Sequence, residues 1–255
     1  MTKLPASMCG VQLTGHGGLE KLVWREDIPV PRPMPGEVLV RVLAAGVNMT
    51  DLNTRKGWYG GEGRAAGWAG EMAFPRIQGS DLCGRVVALG AGVEGFRLGA
   101  RVICPTNQHE PTKGNPINFV SIGSEFDGAF AQYCVVKARH LHDVSASPLT
   151  DIEIGAMPCA YGTAHNLLTR AQVAVGERVL VTGASGGVGL AAVQLALLSG
   201  ADVTAQCSLQ KSAPLRAFGA AILSRDSTPA FQSFDVVIDA DGSGTSRRLW
   251  LLLGS

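Results

Sequence analysis

A glycine-rich turn between two apolar segments constrains the fold of this chain more than any other feature. Gly183, Gly186 and Gly189 recur at every third position within the sequence VLVTGASGGVGLAAVQLA. The residues before the turn predict a strand over 177–182, and those after it predict a helix over 187–199 that is apolar on nearly every side. A second aliphatic strand follows. This order of elements predicts a βαβ unit with a parallel sheet.

Each glycine of the turn has a physical role in such a unit. Gly183 lets the chain turn sharply off the strand, Gly186 lets the backbone approach a pyrophosphate, and Gly189 lets helix and strand pack closely. The free N–H groups and the positive end of the helix dipole then face the phosphates. An ordinary tight strand-to-helix turn is the alternative, but the matching flanks favour a dinucleotide site. The predicted site residues are Gly183, Ala184, Ser185, Gly186, Gly187, Val188 and Gly189.

The end of the second strand, predicted over 202–206, indicates which dinucleotide is bound. An acidic residue there would bind the ribose 2′-hydroxyl of NAD and repel a 2′-phosphate. The chain has no acid at this place, and Ser208 and Lys211 offer a hydroxyl donor and a positive charge for a 2′-phosphate. Lys211 can also be read as a solvated lysine at the start of a helix. We favour NADPH over NADH.

Two domains are predicted from a change of pattern near residue 150. Before residue 150, short segments in which apolar and polar residues alternate, bounded by Gly, Pro or Asp, predict strands. Two segments that have neither the strand nor the helix periodicity predict loops. After it, helical segments alternate with aliphatic strands, which is typical of α/β architecture. The predicted domains are 1–150 and 151–255. The further predictions are strands over 36–47, 84–89, 100–104, 131–136, 221–224 and 234–240, loops over 57–70 and 105–123, and helices over 151–171 and 210–218.

Composition narrows the class of partner. The 255 residues are 46% apolar and carry a formal net charge of +1, so the chain can bury a sizeable core and lacks a basic surface for nucleic acid or anionic membranes. The first residues lack a secretion signal and no apolar stretch is long enough to span a bilayer. We expect a soluble cytoplasmic protein with a small-molecule substrate. Its six cysteines form no CxxC pair and are predicted to be free thiols: Cys9, Cys83, Cys104, Cys134, Cys159 and Cys207.

Four segments in order resemble the medium-chain dehydrogenase/reductase superfamily. They read GVNMTDLNTRKGWY, FPRIQGSDLCGRVVALGAGVEGFRLGARV, PCAYGTA and VLVTGASGGVGLAAVQLA, and they are most similar to quinone-oxidoreductase-like and alcohol-dehydrogenase-like members. The resemblance extends to about Asp239. It implies an α/β protein with a GroES-like, β-rich N-terminal domain and a Rossmann domain with a doubly wound parallel sheet. It also implies an active site in the cleft between the two domains.

The same resemblance predicts that zinc is absent. Zinc-dependent relatives place a Cys, a His–Glu pair and a second Cys around the catalytic metal. This chain has Asn48 at the first position and Ser80-Asp81 at the pair, so only Cys159 matches, whereas a catalytic zinc needs about three protein ligands. The structural zinc of some relatives needs four close cysteines, and here that stretch offers only Cys104. The remaining candidate ligands, His109, His140 and His142, are predicted to be surface histidines.

In zinc-free relatives the reaction is hydride transfer from NADPH to a quinone, enone or similar acceptor, and we add aldehydes to the expected class. By resemblance, Asn48 lies near the nicotinamide and donates its amide N–H to the acceptor oxygen, and Thr163 contacts the nicotinamide end. Tyr59 is our candidate hydroxyl donor or proton source, with Trp58 as an apolar wall; packing of both rings within their own loop is the alternative. Asp51 is expected to support the site or to cap the following helix.

The C-terminal part departs from the family pattern. A dinucleotide fold has six parallel strands in the order 3-2-1-4-5-6, and the predicted strands end at the fourth. The segment LWLLL within 241–255 is expected either to cover the open sheet edge or to result from truncation or a shifted reading frame. In relatives the missing strands often form the dimer edge. A homodimer is one expectation, and the sequence leaves the oligomeric state open. We also expect a chain of this length to bind the adenine–phosphate end of NADPH while catalysing poorly.

Two other functions stay open at this point. One is a catalytically silent nucleotide-binding or interaction protein that kept the fold and lost turnover, because fold similarity alone does not establish activity. The other is an alcohol dehydrogenase with zinc at a non-standard site, which Asn48 and Ser80 disfavour.

Overall fold

The fold is taken from a computed structural model. It describes residues 4–60, 67–68, 70–227, 230 and 232–240. The chain divides into two units, Met1–Cys159 and Ala160–Ser255, each with a hydrophobic core of its own. The LWLLL segment, for which two roles were open, lies outside the described residues, as does half of the predicted loop over 57–70.

The first unit is built from short strands and two short helices. Its strands are β1 (Ser7–Leu13), β2 (Leu22–Pro29), β3 (Glu37–Ala44), β4 (Arg76–Ile77), β5 (Cys83–Leu89), β6 (Arg101–Ile103), β7 (Asn107–His109), β8 (Phe119–Ser121), β9 (Tyr133–Lys137) and β10 (His142–Asp143). Its helices are α1 (Met49–Arg55) and α2 (Asp151–Gly155). The strands pair as a five-stranded sheet of order β10-β6-β5-β3-β9, a three-stranded sheet of order β2-β1-β4 and the hairpin β7-β8.

The predicted strand over 36–47 becomes the interior strand β3 of the five-stranded sheet. Val38 and Val40 point into the main core of the unit, and Leu39 between them is also fully buried. Arg41 is exposed. The sequence of β3 is nearly continuously apolar because the strand has a neighbour on each side and both of its faces are covered.

Two features of the first unit differ from the sequence-based expectation. The segment 105–123, predicted to be a loop, contains the hairpin β7-β8, whose strand Asn107–His109 is polar and therefore lacks the apolar alternation that indicates a strand. The segment before residue 30 carries the long hairpin β1-β2, which we did not predict. Gly10 in β1 lies so close to the chain that a Cβ there would come within 2.8 Å of Ala131 Cβ.

The second unit is a parallel sheet with helices. Its strands are β11 (Arg178–Thr182), β12 (Asp202–Cys207), β13 (Ala221–Ser224) and β14 (Val236–Asp239). Its helices are α3 (Pro158–Arg170), which begins just before the boundary between the units, α4 (Gly187–Leu198) and α5 (Ala213–Ala217). All described strand pairs are parallel and the order is β13-β12-β11-β14. The predicted order 3-2-1-4 is therefore confirmed.

Helix α4 packs against β11 and β12 with small side chains. Ala191, Ala192, Val193 and Ala196 are fully buried, as the predicted apolar character on nearly every side requires. The helix ends before Gly200, whose φ of +82° is the left-handed conformation that glycine adopts most readily.

Two predicted helices are interrupted. The segment 151–171 contains α2 and α3 as separate helices; α2 begins with a capping box between Thr150 and Glu153, and α3 begins anew at Pro158, which fits a first helical turn. The segment 210–218 contains a 3-10 turn over Leu209–Lys211 and then α5, whose first turn holds a proline. In the described part of the chain, no helix combines the length and apolar character that a membrane crossing requires.

Candidate functional site

The glycine turn after β11 has the backbone geometry that its sequence predicted. Gly183 has a φ of +57°, in the left-handed region, so the chain reverses there without the steric cost that another residue would bear. Ala184 is fully buried, and its N–H donates to Gln206 O of the neighbouring strand β12 at 3.1 Å. The turn is thus fixed to the sheet.

The other two glycines of the triplet differ in the space around them. A Cβ at Gly189 would approach the carbonyl oxygen of Gly183 and lie 2.7 Å from Ala184 Cα, so only glycine allows helix and turn to pack this closely. A Cβ at Gly186 would meet one atom, Gly183 O, at 3.3 Å. Gly186 therefore borders open space rather than protein.

The start of α4 presents unpaired backbone donors. Gly187, Val188 and Gly189 are the first three helical residues, whose N–H groups have no acceptor within the helix, and no side chain of the described residues caps them. Ser185, Gly186 and Gly187 are exposed. Among the described residues, no side chain occludes the turn, so an anionic diphosphate fits this cradle on both charge and space.

The predicted 2′-phosphate residues lie just beyond β12. Ser208 is half-buried and precedes the 3-10 turn that ends at Lys211, whose side chain is exposed and makes no ion pair with the described residues. Sequence reasoning missed Arg225: its N–H donates to Cys207 O at 3.0 Å, which places it beside the same strand end. Its position directly after the third parallel strand was the available signal.

A hydrogen bond between neighbouring strands supports the turn. Thr182 Oγ1, the last residue of β11, donates to Asp239 Oδ1 at the end of β14 at 2.6 Å. Thr182 is buried and directly precedes Gly183. The sequence analysis did not single out this pair, whose members lie 57 positions apart. Thr163, predicted to contact the nicotinamide end, lies on α3 with an exposed side chain.

The first unit gathers the residues that occupy the zinc-ligand positions of relatives. Asn48 Nδ2 donates to Asp81 Oδ2 at 3.0 Å and to Ser80 Oγ at 3.4 Å. Cys159 N–H donates to Asp81 Oδ1 at 2.7 Å. Asn48 N–H donates to Asp51 Oδ2 at 2.8 Å, so Asp51 helps to cap α1 from inside the helix. These residues form one hydrogen-bonded cluster.

The side-chain amide of Asn48, which was predicted to act on the substrate, is hydrogen-bonded within this cluster. Both N–H groups of the Asn48 side chain have acceptors, at Asp81 and Ser80. Donation from Asn48 to an acceptor oxygen therefore stays a prediction, and it requires the bond to Ser80, the longer of the two, to be exchanged.

Burial makes the charged forms of this cluster costly. Burial raises the pKa of Asp51 to about 6, against hydrogen bonds from the N–H groups of Asn48 and Gly79 that lower it. Burial also raises the pKa of Asp81, against the bonds from Asn48 and Cys159. The pKa of the Cys159 thiol rises to about 11, chiefly through burial, so without a metal it is a neutral thiol at neutral pH.

Tyr59 belongs to a group of three aromatic rings. Its ring centroid lies 5.3 Å from Trp58 and 4.9 Å from Trp68, both edge to face. Its hydroxyl accepts from Asn53 Nδ2 of α1 at 3.5 Å, and burial raises its pKa. The loop packing that we left open is present; the role of Tyr59 as proton source stays a prediction. Trp58 is 69% exposed, which leaves its ring available to a ligand.

Two of the three remaining histidine candidates have other partners. His109 Nε2 donates to Pro116 O, and His140 Nε2 donates to Glu110, both at 2.9 Å. His140 is half-buried, not the surface histidine that we predicted, because Glu110 binds it together with Lys137 and Arg139. All six cysteines are free. Among the described residues, no group of three or more His, Cys, Asp or Glu side chains is placed to hold a metal ion.

The two units and their clusters have clear counterparts among known proteins. Residues 34–146 match the alcohol dehydrogenase GroES-like domain. A crystal structure of a provisionally named alcohol dehydrogenase from Sinorhizobium meliloti 1021 matches 99% of this chain at 40% identity with a TM-score of 0.88, and the match covers 74% of that protein. This chain belongs to the medium-chain dehydrogenase/reductase superfamily. The predicted combination of a GroES-like and a Rossmann domain is confirmed.

Curated members of the superfamily are similar over a smaller share of their length. A zinc-type alcohol dehydrogenase-like protein of Schizosaccharomyces pombe is 37% identical over 189 residues, which are 72% of this chain and 51% of the relative. The 2-methylene-furan-3-one reductase of Solanum lycopersicum is 29% identical over 247 residues, 94% of this chain and 59% of the relative. The chain thus spans 51% and 59% of these two relatives. Members of the superfamily bind nicotinamide cofactors.

Proposed function

We propose that this chain is an oxidoreductase that binds NADPH and reduces a conjugated carbonyl compound, such as an enone or quinone, or an aldehyde, without catalytic zinc. One observation carries the proposal: the N–H groups of residues 187–189 open onto an unobstructed cradle at the carboxyl end of a parallel sheet. Superfamily membership adds the expectation that the anion bound there is the diphosphate of a nicotinamide cofactor.

The roles of the residues follow from their chemistry. Backbone N–H groups of the glycine turn would hold the diphosphate, and Ser208 and Lys211 would bind a 2′-phosphate through a hydroxyl and a positive charge. Arg225 brings a second cation to the same strand end. When bound, NADPH supplies a hydride from C4 of its nicotinamide. The protein supplies orientation, exclusion of water and polarisation of the acceptor carbonyl.

Two residues have proposed roles at the reacting groups. Thr163 is the proposed contact to the nicotinamide end. Tyr59 is the proposed proton donor because a phenol is protonated at neutral pH; burial raises its pKa, which makes it a weaker acid than a free tyrosine. The reductase of Solanum lycopersicum, whose named compound is a conjugated ketone, supports an acceptor in which a carbonyl withdraws electrons from the carbon that is reduced.

The zinc-free character rests on the donor set. Asn48 offers an amide in place of a thiolate, and Ser80 offers a hydroxyl in place of an imidazole. The Asn48 side chain donates hydrogen bonds to both Asp81 and Ser80. Zinc prefers Cys thiolate and His nitrogen, of which only the protonated Cys159 remains here. The zinc-type name of the Schizosaccharomyces pombe relative makes zinc content worth measuring directly.

Calorimetric titration of the chain with NADPH and NADH tests the proposal. We expect NADPH to bind at least about tenfold more tightly, a difference of about 1.4 kcal/mol. Gly186→Ala places a methyl group in the cradle without straining the fold and is expected to weaken binding of both cofactors; Gly114→Ala, whose methyl meets open space in the first unit, is the matched control. Unaltered NADPH binding by folded Gly186→Ala would contradict the proposed site.

A second function is favoured by one observation. Because both Asn48 N–H groups are already bonded within the protein, the chain is also compatible with a nucleotide-binding protein that does not turn over. An assay of NADPH oxidation with a panel of enones, quinones and aldehydes separates the two. Binding without oxidation by any acceptor selects the second function.

A further inference from the structure

A small cavity borders residues of the Asn48 cluster. Its volume is about 20 Å³, and its walls include Thr50, Asp51, Ser80 and Thr106, with Trp68 on one side. Four of these five side chains are polar. A cavity that borders both Asp51 and Ser80 touches two of the residues that hold Asn48.

Two hydroxyl groups at this cavity lack a partner. Thr50 Oγ1 and Thr106 Oγ1 are fully buried and make no hydrogen bond. Thr106 Oγ1 lies close enough to the Cys159 thiol to lower its pKa slightly against the larger effect of burial, but not with the geometry of a hydrogen bond. Buried polar groups are almost always hydrogen-bonded to protein or to ordered water. Two hydroxyl groups without a protein partner at one cavity therefore favour a polar ligand between them.

The size of the cavity decides what that partner is. A water molecule needs a cavity of about 10–15 Å³ by this measure, together with two to four polar partners. A volume of about 20 Å³ is enough for one water. A hydroxyl can both donate and accept, so one water can bond both threonines and still reach a further group.

We propose that one ordered water, bound by Thr50 and Thr106, fills this cavity and joins Ser80 to Asp51. Thr50 and Thr106 are then positioning residues. They act on the site through Ser80, whose oxygen accepts the long 3.4 Å bond from Asn48 Nδ2, and they hold the Asn48 amide in the orientation that faces the acceptor. The water site is a property of the first unit alone; only its effect on turnover rests on the proposed function.

Crystal structures of the wild type and two variants test the water site. In the wild type we expect one fully occupied water within about 2.6–3.2 Å of both hydroxyl oxygens. Thr50→Val and Thr106→Val each remove one partner at nearly constant volume and are expected to lose or displace it, whereas Thr106→Ser retains it. A cavity without density in the wild type, or a water unchanged in both valine variants, overturns the proposal.

Urea unfolding gives a second measurement that does not depend on crystals. If both hydroxyls share one water, the valine substitutions are coupled: each single change lowers the urea midpoint, and the double variant lowers it by clearly less than the sum of the two shifts. Thr169→Val, at an exposed position on α3, is the matched control and is expected to leave the midpoint unchanged. Strictly additive shifts would contradict a shared water.

Kinetics test the positioning role separately. With an acceptor that the wild type reduces, Thr106→Val is expected to lower kcat about tenfold while the Kd of NADPH stays unchanged, and Thr106→Ser is expected to restore kcat. An unchanged kcat in a variant that has lost the water would refute the positioning role. If the wild type turns over no acceptor, the proposed function fails, and the crystallographic and unfolding results still decide the water site.

Discussion

The tight packing around Gly189 in the glycine turn allows a stability prediction to be worked out from the structure. Gly189 and Gly162 are both helical glycines of the second unit, and replacing glycine by alanine inside a helix stabilises it by about 1 kcal/mol where space allows. At Gly162 a new Cβ meets nothing within 4 Å. Gly162→Ala should therefore stabilise the second unit by about 1 kcal/mol.

At Gly189 the same gain is opposed by overpacking. The new Cβ would lie 2.7 Å from Ala184 Cα and 2.8 Å from Gly183 C, whereas ordinary contacts are 3.4–4 Å. Both atoms belong to backbone that is bonded into the sheet, so neither can move like a flexible side chain. Overpacking costs about 1–3 kcal/mol; taking the upper value, Gly189→Ala should destabilise the unit by about 2 kcal/mol, and the two variants should differ by about 3 kcal/mol.

Urea unfolding followed by circular dichroism, with hydrogen exchange of the β11 and α4 amides to isolate the second unit, measures this difference. Exchange is needed because two units with separate cores need not unfold in one step. If Gly189→Ala proves as stable as Gly162→Ala, the turn is not held as tightly as the distances indicate, and the argument for the role of Gly189 fails.

Three further outcomes are expected from unfolding measurements. The pKa of Asp51 is raised to about 6, so protonation of this group stabilises the fold below about pH 4, and that stability, on the order of 3 kcal/mol, is lost as the pH rises through 6. Asp51→Asn should remove this loss of stability. An equal loss in the wild type and the variant would refute the assignment to Asp51. Partial burial raises the pKa of Glu110, but hydrogen bonds from Lys137, His140 and Arg139 lower it to about 2. Glu110→Gln should therefore be less stable than the wild type by about 1–2 kcal/mol above pH 5, with the two converging toward pH 2; Glu94→Gln, at an exposed position, should show no difference. Thr182→Val should destabilise the second unit by about 1–3 kcal/mol by removing the bond to a carboxylate, with Thr182→Ser close to wild type; equal loss in both variants would argue against that bond.

The second unit was largely predictable from sequence because its signals are local. Each parallel strand is a short aliphatic run, and the glycine turn fixes which run begins the nucleotide-binding unit. The sheet order then follows from the rule for doubly wound folds. The breaks in the predicted helices came from prolines at 158 and 214, which are compatible with a helix start but not with an uninterrupted helix of the predicted length.

The first unit was less predictable because its site depends on contacts between distant residues. Asn48 meets Asp81 across 33 positions, and Cys159 meets Asp81 across 78. The motif placed these residues at one site only by resemblance, and it did not show that the Asn48 amide would be bonded to Asp81. Likewise the hairpin β7-β8 is stabilised by its partners, including the cations around Glu110, and not by an apolar pattern of its own.

The separation of the hydrophobic interior into two groups of side chains has a practical consequence for altering the protein. No buried residue of the cluster around Val181 belongs to the cluster around Val40. Under the proposed roles, substitutions at Ser208 and Lys211 that alter coenzyme choice and substitutions near Tyr59 that alter acceptor choice fall in different units, each with its own hydrophobic core. Variants of each unit can therefore be screened separately. When the best variants are combined, their effects on the free energy of unfolding are expected to add.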